Sequence, residues 1–145
     1  MEIYSIGFTQ KSASEFFHLI RAHGIERLLD VRLNNTSQLA GFAKQADLAY
    51  FLREICNCAY QHEPLLAPEQ AMLDAYKKQK GSWESYAEEF LTLMRSRKIE
   101  SQIDKESFSQ KTVLLCSEPT AEHCHRRLVL EYLQQSWKHV IIHHL

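Results

Sequence analysis

No segment of the sequence approaches the ~20 consecutive apolar residues that a membrane-spanning helix requires. The N-terminus also lacks the basic and then apolar pattern of a secretory signal peptide. Acidic and basic residues nearly cancel to a formal net charge of -1, so the overall charge attracts neither nucleic acid nor an anionic membrane. These absences predict a cytoplasmic protein that does not bind membranes. A local basic patch is still compatible with this composition, and the oligomeric state does not follow from it.

The cysteines form neither a disulfide pattern nor a metal-binding pattern. Four cysteines in a chain without a secretory signal predict reduced thiols. The paired C-x₂₋₄-C knuckle of structural zinc sites does not occur. We therefore predict no metal and no cofactor, although residue types that zinc prefers are present at Cys116, Cys124, His62, His123 and His125.

A chain of 145 residues, 45% hydrophobic and 24% charged, suits a single globular domain over residues 1–145 and leaves no room for a second. Apolar segments that end at turn residues predict five strands, at residues 1–6, 25–31, 58–62, 111–116 and 139–143. Helical patterns separate the strands. This alternation predicts an α/β fold, a three-layer Rossmann-like domain with a mostly parallel sheet of about five strands.

The helical segments are recognised by their caps and by their apolar stripes. Ser12 and Asp47 are predicted N-caps of two helices, and an extended polar loop is expected over residues 33–45. Further helices are predicted from about residue 68 to 80, from Ser82 onward, and through the stripe Val129, Tyr132, Leu133 and Trp137.

Ligands of open parallel sheets usually bind beyond the carboxyl ends of the strands. The residues at those ends are Gly7 and Thr9 after the first strand, Asp30 and Arg32 at the second, His62 at the third, and Cys116 and Glu118 at the fourth. We expect these residues to converge on one edge, where the first five would contribute to substrate binding. Asp30 and Arg32 share a strand face, and an ordinary ion pair is the alternative interpretation.

The triplet Cys124-His125-Arg126 is predicted at the N-terminus of the last long helix. The unpaired N–H groups of a helix N-terminus favour anions and would lower the pKa of an accessible Cys124. Arg126 would strengthen both effects. Glu118 is placed to orient His125 or Arg126, or to transfer a proton. Cys116 is equally well explained as a small core residue.

Five short blocks, taken together, resemble the family known as domain of unknown function 488. The blocks are Ser5-Ile-Gly7-Phe-Thr9, Leu29-Asp30-Val-Arg32, Tyr60-x-His62, Leu114-Leu-Cys116-x-Glu118 and Cys124-His125-Arg126, and they span nearly the whole chain. The resemblance implies a small three-layer α/β fold and no settled activity. It marks as motif positions Asp30, Arg32, Cys116, Glu118, Cys124, His125 and Arg126.

The chain departs from the family pattern in two loops. Residues 34–37 replace a frequent proline, and the glycine pair that usually follows Leu66 is absent. A weaker likeness is to rhodanese-like sulfur-transfer domains, whose cysteine opens an anion-cradling loop rich in glycine and arginine. Here Glu118 and Pro119 occupy that loop, which disfavours a sulfurtransferase or phosphatase cradle centred on Cys116.

The leading hypothesis is an enzyme that acts on an anionic substrate, nucleotide or nucleic-acid-like, at the strand-end cleft. It places Cys124, His125, Glu118 and Cys116 near the chemistry, and Arg32 and Arg126 at the substrate charge. Two alternatives remain open at this point. One is a non-catalytic module that binds phosphate or nucleic acid, and the other is a thiol redox or metal-responsive domain.

Overall fold

Five parallel strands form the only sheet of the computed structural model, which describes residues 1–145. The strands are β1 (Glu2–Gly7), β2 (Arg27–Asp30), β3 (Ala59–His62), β4 (Thr112–Cys116) and β5 (Ile141–His144). Their order is β3-β2-β4-β1-β5, and every neighbouring pair is parallel. The predicted α/β class and the number of strands are therefore confirmed.

Helices cover both faces of this sheet. They are α1 (Ala13–Ala22), α2 (Gln45–Cys56), α3 (Gln70–Lys77), α4 (Trp83–Arg97), α5 (Ile99–Gln102) and α6 (His125–Ser136), with 3₁₀ turns at Gln38–Ala43, Pro64–Leu66 and Lys105–Ser109. No helix is both long enough and apolar enough to cross a membrane.

The core consists of two apolar clusters, one on each face. Alternate residues of a strand point to opposite faces, so Leu28 and Val113 join the cluster under α1 and α2, whereas Leu29 and Leu114 join the cluster under α4 and α6. This division gives the three layers. It also leaves the carboxyl ends of β2 and β4 as neighbours at one edge, because these two strands pair directly.

The element boundaries differ from the sequence-based expectation in a few places. The helix assigned to an Asp47 cap begins at Gln45, and its N-cap is Lys44, which makes no side-chain capping bond. Asp47 instead lies in the first turn, where its carboxylate is 3.5 Å from the Lys44 ammonium. The region predicted as an extended loop contains the 3₁₀ turns at Gln38–Ala43. Helix α5 was not predicted.

Ser12 is confirmed as the N-cap of α1, since its hydroxyl accepts a hydrogen bond of 3.1 Å from the Glu15 amide. We expect Ser12→Ala to lower the free energy of unfolding by about 1 kcal/mol, because that amide loses its partner. Urea denaturation monitored by circular dichroism measures the change. The matched control is Ser14→Ala in the same exposed turn, and an equal loss in both variants would contradict the capping role.

Candidate functional site

A pocket of about 330 Å³ opens beside the carboxyl ends of β2 and β4. Five of the predicted catalytic and substrate-binding residues line it: Arg32, Cys116, Glu118, Cys124 and His125. Helix α3 and the residue that follows it supply another part of the wall, through Gln70, Leu73, Asp74, Tyr76, Lys77 and Lys78. The edge of the sheet selected by the strand-end rule is thus the edge that carries a pocket.

Two thiols and one imidazole lie together in this pocket. Cys116 ends β4, Cys124 is the N-cap of α6, and His125 is the first residue of that helix. Their sulfur and ring nitrogen atoms lie within 4.8 Å of one another, and the Cys116 Sγ is 3.5 Å from the His125 Nδ1. These three residues are called the thiol–imidazole cluster below. They are the one group of His, Cys, Asp or Glu side chains placed to hold a metal ion.

The backbone fixes the orientation of the His125 ring. The His125 Nε2 is 2.7 Å from the Val31 carbonyl oxygen, just beyond β2. A carbonyl oxygen only accepts hydrogen bonds, so Nε2 carries the proton and donates it. The lone pair of Nδ1 is therefore left facing the Cys116 sulfur. Burial lowers the pKa of His125, which favours this neutral tautomer.

Cys124 is 2% exposed, so the prediction of an accessible thiol with a lowered pKa is wrong. Its side chain turns inward, and the neighbouring Cys116 thiol and burial both raise the pKa of Cys124. The Cys124 thiol in turn lowers the pKa of Cys116, against the effect of burial. The thiol that ends the strand is thus the more readily ionised of the two.

Arg126 is completely buried and, unlike the other two members of its triplet, does not line the pocket. Its Nε donates to the Ser5 hydroxyl at 3.2 Å, and its NH1 nitrogen donates to the Glu118 carbonyl oxygen at 2.9 Å and to the Cys124 Sγ at 3.4 Å. Its other terminal nitrogen has no partner, and no carboxylate pairs with the guanidinium. A buried cation is stable only when charged or polar groups compensate it, and sulfur is the one such group here able to ionise.

Glu118 contacts this arginine through its main chain. The carbonyl of Glu118 sits against Gly7, where an added Cβ would lie 1.6 Å from the oxygen, so the turn after β4 requires glycine at the end of β1. The Glu118 carboxylate instead pairs with the Lys77 ammonium at 2.5 Å. Burial lowers the pKa of Lys77, but this carboxylate outweighs burial and the net shift is upward. Glu118 therefore joins α3 to β4 across the pocket.

Asp30 and Arg32 form a buried two-point ion pair, with both N···O distances 2.8 Å. The Tyr60 hydroxyl donates to Asp30 at 2.6 Å, and Arg32 also donates to the Ala43 carbonyl at 2.7 Å. Burial raises the pKa of Asp30, but the bonds to Arg32 and Tyr60 outweigh it and hold that pKa below its ordinary value. These contacts are those of the ordinary ion pair that the sequence offered as the alternative interpretation. Arg32 lines the pocket, but its charge is balanced by Asp30.

The remaining predicted residues surround the pocket without lining it. The His62 Nε2 is 2.8 Å from the Arg32 carbonyl oxygen, so His62 supports the backbone that carries Arg32. Thr9 is exposed, and its amide donates to the Ser117 carbonyl at 3.1 Å. Gly7 and Asp30 hold neighbouring elements in place, as described above.

The family assignment follows from residues 12–133, which match the family model described as domain of unknown function DUF488. The chain belongs to the DUF488 family. The matched region contains every residue that lines the pocket. No curated protein and no solved structure gives a significant match to the chain.

Tyr86 is the pocket residue of this DUF488 domain that sequence reasoning missed most clearly. Its spacing on α4 with Phe90 and Met94 predicts a core position, and it is indeed 5% exposed. Yet it lines the pocket, and its hydroxyl forms no hydrogen bond with the rest of the chain. Burial raises the pKa of Tyr86, and the charges of Cys116 and Cys124 add to the shift, so the phenol lies near the cluster.

Aromatic rings continue around this part of the DUF488 pocket. Tyr76 stacks on Tyr86 with ring centroids 4.8 Å apart, and His123 stacks on Trp83 at 5.1 Å. Tyr76 and His123 also line the pocket. The sequence gives one indication of this aromatic part of the pocket. The α3 segment has few apolar positions for the core, and in the structure none of its residues is buried.

Proposed function

We propose that this DUF488 domain is an enzyme that acts on a small anionic substrate bound in the strand-end pocket. The observation that carries the proposal is Tyr86, a buried pocket residue whose hydroxyl is still accessible to solvent, has no hydrogen-bond partner within the chain and lies near the thiol–imidazole cluster. A ligand that covers this hydroxyl must offer it a hydrogen-bond partner, because a polar group that is buried without one costs free energy. A ligand oxygen in the pocket would supply the missing partner.

The charges around the pocket support an anionic ligand. Each nearby carboxylate is matched by a cation, in the pairs Asp30 with Arg32, Glu118 with Lys77 and Asp74 with Lys78. Arg126 is the cation left over when both thiols are protonated. An anionic group in the pocket would therefore balance the local charge. The ion pairs with lysine are half-exposed, so a bound anion can draw either ammonium group toward itself.

The aromatic wall supports a planar group as the second part of the substrate. Tyr76 and His123 line the pocket, and aromatic side chains bind nucleobases by stacking. A nucleotide combines such a ring with an anionic phosphate. We therefore infer that the substrate is nucleotide-like, with its reacting atoms at Cys116, Cys124 and His125 and its anionic oxygen at Tyr86.

Tyr86→Phe should weaken the binding of a nucleoside monophosphate about ten- to hundredfold, since a hydrogen bond to a charged group contributes roughly 1.5–3 kcal/mol. Isothermal titration calorimetry with a panel of nucleoside monophosphates, nucleosides and inorganic phosphate measures this change. Because the hydroxyl has no hydrogen-bond partner within the chain, the variant should keep the melting temperature of the wild type.

Tyr50→Phe is the matched control, because Tyr50 is exposed and lies outside the pocket. Equal affinity in the two variants would contradict the role of Tyr86. NMR analysis of products, with the ligands that bind, then distinguishes an enzyme from a non-catalytic binding module. Binding without turnover would replace the enzyme with a binding module, and the absence of binding across the panel would refute the substrate class.

A further inference from the structure

We propose that Cys116, Cys124 and His125 are the three protein ligands of a site for one thiophilic divalent metal ion, with zinc as the representative ion. The proposal concerns the same pocket as the proposed enzyme. It rests on that proposed function in one respect alone, the identity of the fourth ligand. Thiolate sulfur and imidazole nitrogen are the ligands that zinc prefers.

The spacing of the ligand atoms fits a tetrahedral ion. Zinc–sulfur and zinc–nitrogen bonds of about 2.3 and 2.05 Å place a sulfur and a nitrogen ligand about 3.6 Å apart at the tetrahedral angle. The Cys116 Sγ and the His125 Nδ1 are 3.5 Å apart, and Cys124 completes a triangle whose corners lie within 4.8 Å of one another. A catalytic thiol and its general base would need only one sulfur and one imidazole. Here a second sulfur lies beside that pair, giving three protein ligands, the number that a zinc site with an open position requires.

The surroundings of the cluster resemble the outer sphere of a metal site. A histidine ligand usually donates its second ring N–H to a carbonyl or carboxylate, which fixes the tautomer. The His125 Nε2 makes that bond with the Val31 carbonyl, and it leaves Nδ1 free to coordinate. The Arg126 guanidinium donates to the Cys124 Sγ, as a hydrogen-bond donor to a coordinated thiolate would. Both contacts are made by the chain's own groups, which hold His125 and Cys124 in place for an ion.

The fourth coordination position opens into the pocket, since all three ligands line it. Metal sites with three protein ligands and one open position are those that act on substrates. Two thiolates neutralise a divalent ion, and Arg126 then carries an uncompensated charge because it has no carboxylate partner. The fourth ligand is therefore anionic, either hydroxide or the anionic group of the substrate.

The missing C-x₂₋₄-C knuckle does not conflict with this site. A knuckle supplies two ligands from one tight turn, whereas here the ligands come from the end of β4 and the start of α6. Cys116 and Cys124 are separated by the turn that Glu118 and Gly7 hold in place. Sequence spacing alone therefore gives no indication of their proximity.

The test is metal binding by the full-length chain, purified under reducing conditions, stripped with a chelator and titrated with Zn²⁺ and Co²⁺. We expect one ion per chain by elemental analysis. Bound Co²⁺ should show intense tetrahedral ligand-field bands and thiolate-to-cobalt charge transfer. Cys124→Ser and His125→Asn should each weaken Zn²⁺ binding by more than about a hundredfold, since losing an outer-sphere partner already costs about 10–100-fold.

The chain provides matched controls in its other two thiols. Cys56 and Cys58 lie outside the pocket, and Cys56→Ser and Cys58→Ser should bind Zn²⁺ like the wild type. Cys124→Asp distinguishes the loss of a ligand from the loss of the fold, because the aspartate carboxylate can both coordinate the ion and pair with Arg126. This variant should bind Co²⁺ with weaker thiolate-to-cobalt charge transfer than the wild type.

Three results would overturn the site. They are substoichiometric binding by the wild type, tight binding that survives Cys124→Ser together with His125→Asn, and alkylation of Cys116 at the same rate with and without Zn²⁺. Metal binding without any nucleotide affinity would refute the proposed function and leave the metal site standing. Nucleotide affinity in a chain that binds no metal would refute the metal site and leave the proposed function standing.

Discussion

Asp30→Asn should lower the free energy of unfolding by about 3–5 kcal/mol, the usual cost of leaving one partner of a buried ion pair uncompensated. The loss is large because Asp30 is completely buried and receives hydrogen bonds from Arg32, Tyr60 and Asn35. Arg32 would remain in place through its bond to the Ala43 carbonyl, with a buried charge that nothing balances. Urea denaturation at neutral pH measures the difference.

The matched control is Asp47→Asn, which removes an exposed carboxylate 3.5 Å from Lys44 and should change stability by less than about 0.5 kcal/mol. Acidification provides a second test. The pKa of Asp30 is lowered in the folded state, so its stabilisation is present above the ordinary carboxyl pKa and is lost as the pH falls through the lowered value. The Asp30→Asn variant should therefore lose less stability than the wild type on acidification, and parallel losses would contradict the assignment.

Gly7→Ala should destabilise the chain by about 4 kcal/mol, through overpacking and the loss of a charged hydrogen bond. The added Cβ would lie 1.6 Å from the Glu118 carbonyl oxygen and 2.7 Å from its carbon, and a main-chain carbonyl cannot rotate away as a flexible side chain can. The turn after β4 must then move. That shift breaks the bond from Arg126 to the same oxygen. Thermal and urea denaturation measure the cost.

Gly24→Ala provides the comparison for this glycine. Its added Cβ would meet nothing closer than the Lys111 ammonium at 3.9 Å, although its positive φ of 63° should cost about 1–2 kcal/mol. The two variants should differ most at the pocket: Gly7→Ala is expected to impair Zn²⁺ and nucleotide binding, whereas Gly24→Ala is not. Wild-type stability in Gly7→Ala would show that the turn has another conformation available.

The fold was predictable from the sequence because short apolar segments alternate with helical patterns. The clearest strand is β4, both of whose faces are buried, where four apolar residues follow Thr112, and Gly24 stops the first helix before β2 begins. The strand-end rule then placed Cys116 and Glu118 at the edge where the pocket lies. Asp47 was misassigned as a cap because a carboxylate is also favourable within the first helical turn.

The internal geometry of the candidate site was not predictable, because it depends on long-range contacts. Nothing local indicates that Cys124 turns inward, since a helix N-cap is equally compatible with an exposed side chain. The pairing of the Glu118 carboxylate with Lys77 joins residues 41 positions apart in the sequence. Tyr86 has the spacing of a core residue, and only the packing of α4 over the pocket reveals its free hydroxyl.

The strand order has a consequence for biosynthesis. Strands β1 and β2 do not pair with each other, since β4 lies between them and pairs with both. A nascent chain that has emerged only as far as α5 thus has β2 and β3 able to associate, while the apolar edges of β1 and β2 wait for a partner still to be translated. Unpaired strand edges of this kind favour aggregation. The topology that assembles the pocket from distant segments thereby delays completion of the sheet until β4 has been synthesised.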